Sequence, residues 1–275
     1  MSGGPVDGGG LARGLYTALQ TRHIALWLKE SPLTAAVQDA GWDGAIRITD
    51  TNYLMVVDSN VGFNKANTLI TTDYAYAVEL QPDLTARAAL TITYRHAGRP
   101  SAEPCLQRVL EYGPNIPYES EIDQCYWDYV RVYVPKGTPL DAAPSFPIAG
   151  AQLIGHEASS GEPELLTAEA DKDAFTSFFY VPRGGTRVVW FRYTIPGIAA
   201  VPATDGLVHF RLLWQKQAGI DAPPVRVTVT LPPGMAYISA RAGDAPAAAH
   251  TNGRSVVIDF ALETDTVVDV AFRAN

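Results

Sequence analysis

The stretch Asn52–Asn67 reads NYLMVVDSNVGFNKAN, and the rest of the chain is organised around it. Its first part, Tyr53–Val57, is a short apolar run that predicts a buried strand. Its second part, Asp58–Asn67, is a loop dense in side-chain amides. The sequence before this stretch is partly helical, whereas nearly everything after it has the features of β structure. We therefore expect it to join a short αβ segment to a mainly β body.

The composition is that of a folded globular chain. Of its 275 residues, 47% are hydrophobic and only 18% are charged, which is far from the disordered class. Glycine and proline number 23 and 20, and they favour a body of short strands joined by many turns. The net charge of -8 comes without a basic stripe that could neutralise phosphates. We therefore predict no nucleic-acid partner.

The chain begins MSGGPVDGGG, and residues 1–10 are predicted to form a flexible leader. This segment lacks the basic and apolar regions of a secretory signal peptide. No stretch approaches the ~20 apolar residues that a membrane-spanning helix needs, so we predict no membrane span in this chain. Either the protein is cytosolic, or its export signal lies on sequence outside this chain.

Residues 11–67 are predicted to form an αβ fragment that ends in the polar loop. Apolar residues at helical spacing predict a helix over Leu11–Gln20. His23–Leu28 has the composition of a strand, and Pro32–Ala40 predicts a second helix. With Tyr53–Val57 the order is αβαβ, too small to bury a sheet on two faces. We expect the end of a domain whose beginning is absent, or an edge packed onto the β body.

From residue 68 onward, apolar and polar residues alternate in short runs that are separated by turn signals. This pattern predicts an immunoglobulin-like antiparallel β-sandwich over residues 68–197. Residues 198–275 form either a second small β domain or the completion of one large sandwich. The predicted strands are Ile70–Leu80, Thr85–His96, Trp127–Val134, Ala174–Val181, Thr186–Ile195, Leu207–Gln215, Val225–Leu231, Ala236–Ala240, Ser255–Ala261 and Thr266–Phe272.

The two cysteines, Cys105 and Cys125, flank a segment rich in proline, tyrosine and glycine. Their spacing matches no zinc-binding pattern, which needs close pairs of ligands. A disulfide between them would remove loop entropy worth ~3 kcal/mol and would imply an oxidising compartment. The alternative is two unpaired buried thiols.

No catalytic motif is present among those that carry a known mechanism. The sequence has no GxSxG elbow, no HExxH pair, no Walker loop and no GxGxxG turn. The five histidines are scattered, and none has a partner that the sequence can name. We therefore assign no catalytic residue, metal or cofactor, and we lean against an enzymatic role for this chain alone.

The polar loop is the best candidate for chemistry. Carboxylate and amide oxygens at its first, third and seventh positions are ligands that hard cations prefer. The match to a calcium loop is poor, because the glycine falls one position early and Leu69 stands where a bidentate acid is needed. The alternatives are a structural loop whose amides bind its own backbone, and a ligand or phosphate contact. The candidate residues are Asp58, Asn60, Asn64, Lys65 and Asn67.

Three blocks carry a resemblance to a known family. They are DSNVGFNKAN at Asp58–Asn67, YVRVYVPKG at Tyr129–Gly137, and QKQAG at Gln215–Gly219. With the order of the pieces before them, they resemble the C-terminal half of the bacterial domain-of-unknown-function family four-thousand-and-twelve. The resemblance spans residues 11–231, and the first two blocks are its most specific parts.

This resemblance implies an extracytoplasmic region at the cell surface, held there by an N-terminal membrane anchor that is not in this chain. The N-terminal half of the family is similar to the LytR–CpsA–Psr group, which transfers glycopolymers from polyprenyl phosphate carriers to the cell wall. That half is also missing here, and no catalytic residue can be carried over. Cell-wall glycan or another envelope protein is the implied partner.

Three functions therefore stand as hypotheses. The first is a non-enzymatic β-sandwich region of a bacterial cell-envelope protein, acting as a scaffold or in surface interaction. The second is an accessory part of a cell-wall glycopolymer transferase whose catalytic half is absent. The third is a calcium-stabilised adhesion module.

Overall fold

The computed structural model describes residues 8–29, 32–109, 117–167, 169, 171–197 and 199–274. The predicted mainly β fold is confirmed, because two large sheets dominate the described chain. The helices are short, and none in these ranges has the length and apolar character to cross a membrane. They are α1 (Gly8–Gln20), α2 (Thr34–Asp39) and α3 (Tyr118–Ile122), with 3-10 turns at Ala66–Leu69 and Gly150–Gln152.

The strands, in chain order, are β1 (Asn52–Val57), β2 (Ile70–Leu80), β3 (Ala86–His96), β4 (Tyr126–Pro135), β5 (Leu140–Ala142), β6 (Glu164–Leu166), β7 (Lys172–Val181), β8 (Thr186–Ile195), β9 (Ala200–Pro202), β10 (Val208–Gln215), β11 (Pro224–Thr230), β12 (Met235–Ala242), β13 (Ala245–Pro246), β14 (Ala249–Asn252), β15 (Ser255–Ala261) and β16 (Thr266–Ala274). The nine-stranded sheet has the order β13-β12-β16-β10-β1-β4-β7-β6, with β9 also pairing with β10. The seven-stranded sheet has the order β14-β15-β11-β2-β3-β8-β5.

The main core lies between the two sheets. Every second residue along a strand points to the same face, so alternating apolar residues fill this space. In β3, for example, Leu90, Ile92 and Tyr94 have no exposed surface. The facing sheet contributes apolar side chains of β1, β4, β7 and β10. Burial of each large apolar side chain stabilises the fold by ~1.5–3 kcal/mol.

Two crossings between the sheets lie side by side. In the nine-stranded sheet β1 is parallel to β10, and in the seven-stranded sheet β2 is parallel to β11. Because β1 leads to β2 and β10 leads to β11, residues 58–69 and 216–223 leave one sheet and enter the other as neighbours. We call these segments the first and the second crossover. The sandwich is therefore antiparallel except at these two pairs of strands.

The predicted αβ fragment over residues 11–67 does not exist as a separate unit. Its last strand, β1, lies inside the nine-stranded sheet between β10 and β4. The strand predicted at His23–Leu28 is wrong, since these residues have no neighbouring strand and Trp27 is 80% exposed. β-propensity describes fit to a half-buried sheet surface, and no such surface is offered to this segment.

Both predicted helices are present, with different ends. The first helix begins at Gly8, so residues 8–10 of the predicted leader are helical, and residues 1–7 lie outside the described residues. The second helix covers Thr34–Asp39, which is shorter than the predicted Pro32–Ala40. Gly41 follows it at a φ of +75°, a conformation that costs glycine little.

The strands after residue 198 complete the sandwich. β10, β12 and β16 belong to the nine-stranded sheet, whereas β11 and β15 belong to the seven-stranded sheet. Of the two predicted alternatives, a second small β domain is therefore wrong. Long-range pairing decides this point, and periodicity along the sequence carries no information about it.

Cys105 and Cys125 form a disulfide, with their Cα atoms 5.6 Å apart. The alternative of two unpaired thiols is therefore wrong. The disulfide packs with the buried residues Trp127 and Ile148 in a small cluster apart from the main core. It fixes the segment between β3 and β4 to the start of β4.

Candidate functional site

The amides of the polar loop are used within the loop. The Asn60 side chain donates to the Asn64 carbonyl oxygen at 2.9 Å and accepts the Gly62 N–H at 2.9 Å. The Asn64 side chain accepts the Ala66 N–H at 3.0 Å and donates to the Cys125 carbonyl oxygen at 3.1 Å. These bonds replace water for backbone groups in a tight turn. They also fasten the first crossover to the disulfide.

The five candidate residues of the loop do not converge on one point. Lys65 and Asn67 are exposed, although Asn67 still accepts a hydrogen bond from Asn60 at 3.2 Å. Asp58 instead accepts a hydrogen bond from Tyr94 of β3 at 2.7 Å. Among the described residues there is no group of three or more acidic, histidine or cysteine side chains placed to hold a metal ion.

Position 62 requires glycine, because its surroundings leave no room for a Cβ atom. A Cβ atom at this position would lie 2.8 Å from Asn64 Nδ2 and 3.1 Å from Trp127 Cδ1. The Asn64 amide is held by its own hydrogen bonds, and the Trp127 ring is buried, so neither can retreat freely. Close packing against β4 therefore explains the glycine.

The unexpected feature is a second buried carboxyl group beside Asp58. Asp128 lies on the core-facing side of β4 and has no exposed surface. Its Oδ1 atom accepts the Ser59 N–H at 2.9 Å and the Tyr126 hydroxyl at 3.1 Å. Its Oδ2 atom is buried without a hydrogen-bond donor among the described residues. Asp58 and Asp128 are within hydrogen-bonding contact of each other, and we call them the carboxyl pair.

Burial raises the pKa of both members of the carboxyl pair. The pKa of Asp128 lies well above its usual range, because the negative charge of Asp58 adds to the cost of burial. The hydrogen bond from Tyr94 lowers the pKa of Asp58 and so offsets part of its burial. The two carboxyl groups therefore share a proton at pH values where a lone aspartate would have lost it.

No cationic side chain compensates the carboxyl pair within the described residues. Neither carboxyl forms an ion pair. The phenols of Tyr94 and Tyr126 donate hydrogen bonds to the pair, and the phenol of Tyr74 lies near enough for its pKa to respond to the charge of the pair. Burial, together with the two carboxyl groups, raises the pKa of each of these phenols, so all three are neutral. The pair therefore carries about one negative charge in a site that is otherwise uncharged.

The carboxyl pair reaches solvent through a cleft between the two crossovers. Asp58 is half-buried and lines this cleft, whose volume is about 520 Å³. The two crossovers are joined at Gln217, whose amide accepts the Asp58 N–H and donates to the Asp58 carbonyl oxygen, both at 2.9 Å. Other residues lining the cleft are Asn60, Asn67, Thr68, Ile70, Thr71, Thr72, Asp73, Tyr74, Tyr126, Ala218, Gly219, Ile220, Asp221, Ala222, Pro223 and Pro224.

The second crossover is held from behind by the N-terminal segment. Lys216 is buried, and its Nζ atom donates to the carbonyl oxygens of Thr21 at 2.8 Å and Ile220 at 2.6 Å. The Gly219 N–H donates to the Arg22 carbonyl oxygen at 2.9 Å. The block QKQAG is therefore a structural junction, which explains why these polar residues occur together.

Sequence reasoning found Asp58 but missed Asp128. The missed signal is the alternation within β4, where Asp128 shares its face with Val130, Val132 and Val134. A carboxylate on an otherwise apolar, buried face requires a partner or a proton. That requirement could have identified Asp128 as unusual from the sequence. It could not have shown that Asp128 lies beside Asp58, which is 70 positions earlier in the chain.

No family model matches the chain, and no curated protein matches it. Among solved structures, the chain is similar to a protein of Legionella pneumophila named for nutrient binding, at 10% identity and a TM-score of 0.36; the match covers 80% of this chain and 70% of that one. It is also similar to an M1 zinc metallopeptidase of Deinococcus radiodurans, at 13% identity and a TM-score of 0.30; here the match covers 73% of this chain and 42% of that one. Scores this low carry no argument about function.

Proposed function

We propose that this chain is a non-enzymatic, extracytoplasmic β-sandwich region of a bacterial cell-envelope protein, acting as a scaffold or in surface interaction. The observation that carries the proposal is the Cys105–Cys125 disulfide. Structural disulfides persist in oxidising compartments and are rare in the cytosol. The resemblance noted above adds the bacterial envelope and a surface anchor on sequence outside this chain.

The arrangement of the polar loop supports a structural role. Its amides hold the loop itself and link it to the backbone at Cys125. A loop consumed by such bonds offers few free groups for turnover of a substrate. Cell-wall glycan or another envelope protein is the proposed partner.

The proposal is tested by fractionation of the source cells and an immunoblot against this chain. We expect the antigen in the membrane or cell-wall fraction, and we expect it to be degraded when intact cells are treated with a protease. A cytosolic marker protein in the same samples must stay intact. Antigen that fractionates with the cytosolic marker and resists the protease contradicts the proposal.

A second candidate is an accessory part of a cell-wall glycopolymer transferase, and the cleft favours it as a contact for uncharged sugar hydroxyls rather than for phosphate. Its most informative positions are the half-buried Asp58, which lines the cleft, and the exposed Lys65 of the polar loop, which lies outside the lining. In the full-length protein, Lys65→Ala and Asp58→Asn are expected to reduce glycopolymer transfer while the melting temperature is retained. Asn64→Ala is the structural control, because it removes bonds that hold the loop. Transfer that falls only in variants of lowered stability contradicts this candidate.

A further inference from the structure

We propose that the cleft between the two crossovers binds a primary ammonium group, such as a lysine side chain or a small diamine, with Asp58 as its counter-ion. This inference concerns the chemistry of the cleft and does not depend on the compartment in which the chain works. The volume of about 520 Å³ lies within the range of small-molecule sites.

The charge of the cleft selects a cation. Asp58, Asp73 and Asp221 line it, and its lining contains no lysine, arginine or histidine among the described residues. Asp73 is paired with Arg95, which is not part of the lining. Asp221 is exposed and forms no ion pair within the described chain, although its charge acts on the buried Lys216 behind the cleft. A phosphate or carboxylate ligand would therefore meet the negative charge of Asp58 without a cation in the lining.

One polar group at the cleft lacks a partner that a ligand could supply. Tyr74 lines the cleft and is 3% exposed, yet its hydroxyl has no hydrogen-bond partner among the described residues. This hydroxyl is not one of the fully buried polar atoms without a partner, so it faces the open space of the cleft. Polar groups placed in this way orient ligands in small-molecule sites.

An ammonium group fits these groups better than a metal ion does. Calcium needs six to eight oxygen ligands, and the described residues contain no group of three or more acidic, histidine or cysteine side chains placed to hold a metal ion together. An ammonium has three N–H donors, which match the Asp58 carboxylate and the Tyr74 hydroxyl. The rings of Tyr74 and Tyr126 also line the cleft, and aromatic faces attract cations.

Binding is linked to the proton of the carboxyl pair. The groups that face this pair are Tyr74 from β2, Tyr94 from β3 and Tyr126 from β4, and all three are neutral. A bound cation replaces the charge that the proton supplies, so one proton leaves the carboxyl pair for solvent as the ammonium enters. Affinity therefore rises with pH, by up to about tenfold per pH unit while the pair titrates.

Titration calorimetry on the whole chain tests the proposal, with the peptide acetyl-Gly-Lys-Gly-amide as the probe. The Nε-acetylated peptide is the matched control, since it lacks only the charge. We expect binding of the first peptide alone, tighter at pH 8 than at pH 5.5, with up to one proton released in buffers of different ionisation enthalpy. Cadaverine distinguishes the two sources: equal affinity assigns the site to free diamines, and weaker affinity assigns it to lysine side chains.

Three variants complete the test. Asp58→Asn is expected to weaken binding of the lysine peptide at least tenfold, whereas Asp244→Asn, in an exposed turn, leaves it unchanged. Asp128→Asn retains the hydrogen bonds of the pair, and with it the affinity loses its pH dependence. Thermal unfolding confirms that each variant is folded. Equal binding of both peptides, no binding at pH 8, or unchanged affinity in folded Asp58→Asn overturns the proposal.

Discussion

At the scale of single residues, Asp128 determines the chemistry of the core. It stands on the apolar face of β4, and its Oδ2 atom has no donor in the described chain. The carboxyl pair satisfies this atom only when one proton is shared, so the folded state retains a proton that the unfolded chain would release. This requirement makes stability depend on pH.

The sign of that dependence follows from the raised pKa of Asp128. In the unfolded chain an aspartate titrates near ~3.9. Above that pH the folded state binds more protons than the unfolded state, so the pair's contribution to stability falls as the pH rises through its folded pKa. We expect the free energy of unfolding by urea to be lower at pH 8 than at pH 5.

Asp128→Asn is expected to abolish this fall in stability between pH 5 and pH 8. The amide can accept from Ser59 and Tyr126 and donate to Asp58 without a proton, which stabilises the fold by about 1–3 kcal/mol at pH 8. Urea unfolding of the variant and the wild type at both pH values measures this difference in the free energy of unfolding. A variant less stable than wild type at pH 8 contradicts the shared proton.

Gly62→Ala tests the packing of the first crossover. The new Cβ would meet the Asn64 amide and the Trp127 ring, and overpacking of this kind costs about 1–3 kcal/mol. Gly155→Ala is the matched control, because nothing lies within 4 Å of its Cβ position. Thermal unfolding should show a loss only in the first variant; equal melting temperatures would mean that the loop yields freely.

At the scale of elements, alternation predicts strands well where a strand has partners on both sides. β2, β8 and β15 have the predicted ends, because each combines period-two burial with clear turns. His23–Leu28 has a similar composition but no strand beside it, so composition alone misleads. The central position of β1 could not be predicted, since a buried run does not reveal which strands flank it.

Gln217 links the two crossovers, so its replacement tests whether this link stabilises the walls of the cleft. Gln217→Ala loses both bonds to the Asp58 backbone and should lower stability by about 1–3 kcal/mol. Gln81→Ala, in the turn between β2 and β3, makes one long bond of 3.4 Å and serves as the control. Urea unfolding that gives the same loss for both variants would show that the link is dispensable.

At the scale of the whole molecule, the candidate site is made by topology. Asp58 could be found because its loop is unusual in sequence, but Asp128 joins it only through the pairing of β1 with β4. The phenols of Tyr74 and Tyr94 come from the opposite sheet. A local sequence pattern does not reveal that these residues come together in the fold. The sequence therefore indicates the polar loop but not the cleft.

The disulfide is the covalent link of this topology. Its reduction releases the segment between β3 and β4. In the chain-entropy model, a disulfide that closes a loop of this length stabilises the fold by ~3 kcal/mol. Dithiothreitol is therefore expected to lower the stability of the wild type by about that amount. The double variant Cys105→Ser, Cys125→Ser is the control and should not respond to the reductant.

The most direct test of the extracytoplasmic role is the redox state of Cys105 and Cys125 in living source cells. Cells are quenched in acid, free thiols are blocked, and the chain is then reduced and labelled with a mass tag that reports each formerly oxidised cysteine. We expect nearly all copies of the chain to carry two tags, as a disulfide outside the cytoplasm would give. A chain that carries none, with both thiols blocked in the first step, would contradict it.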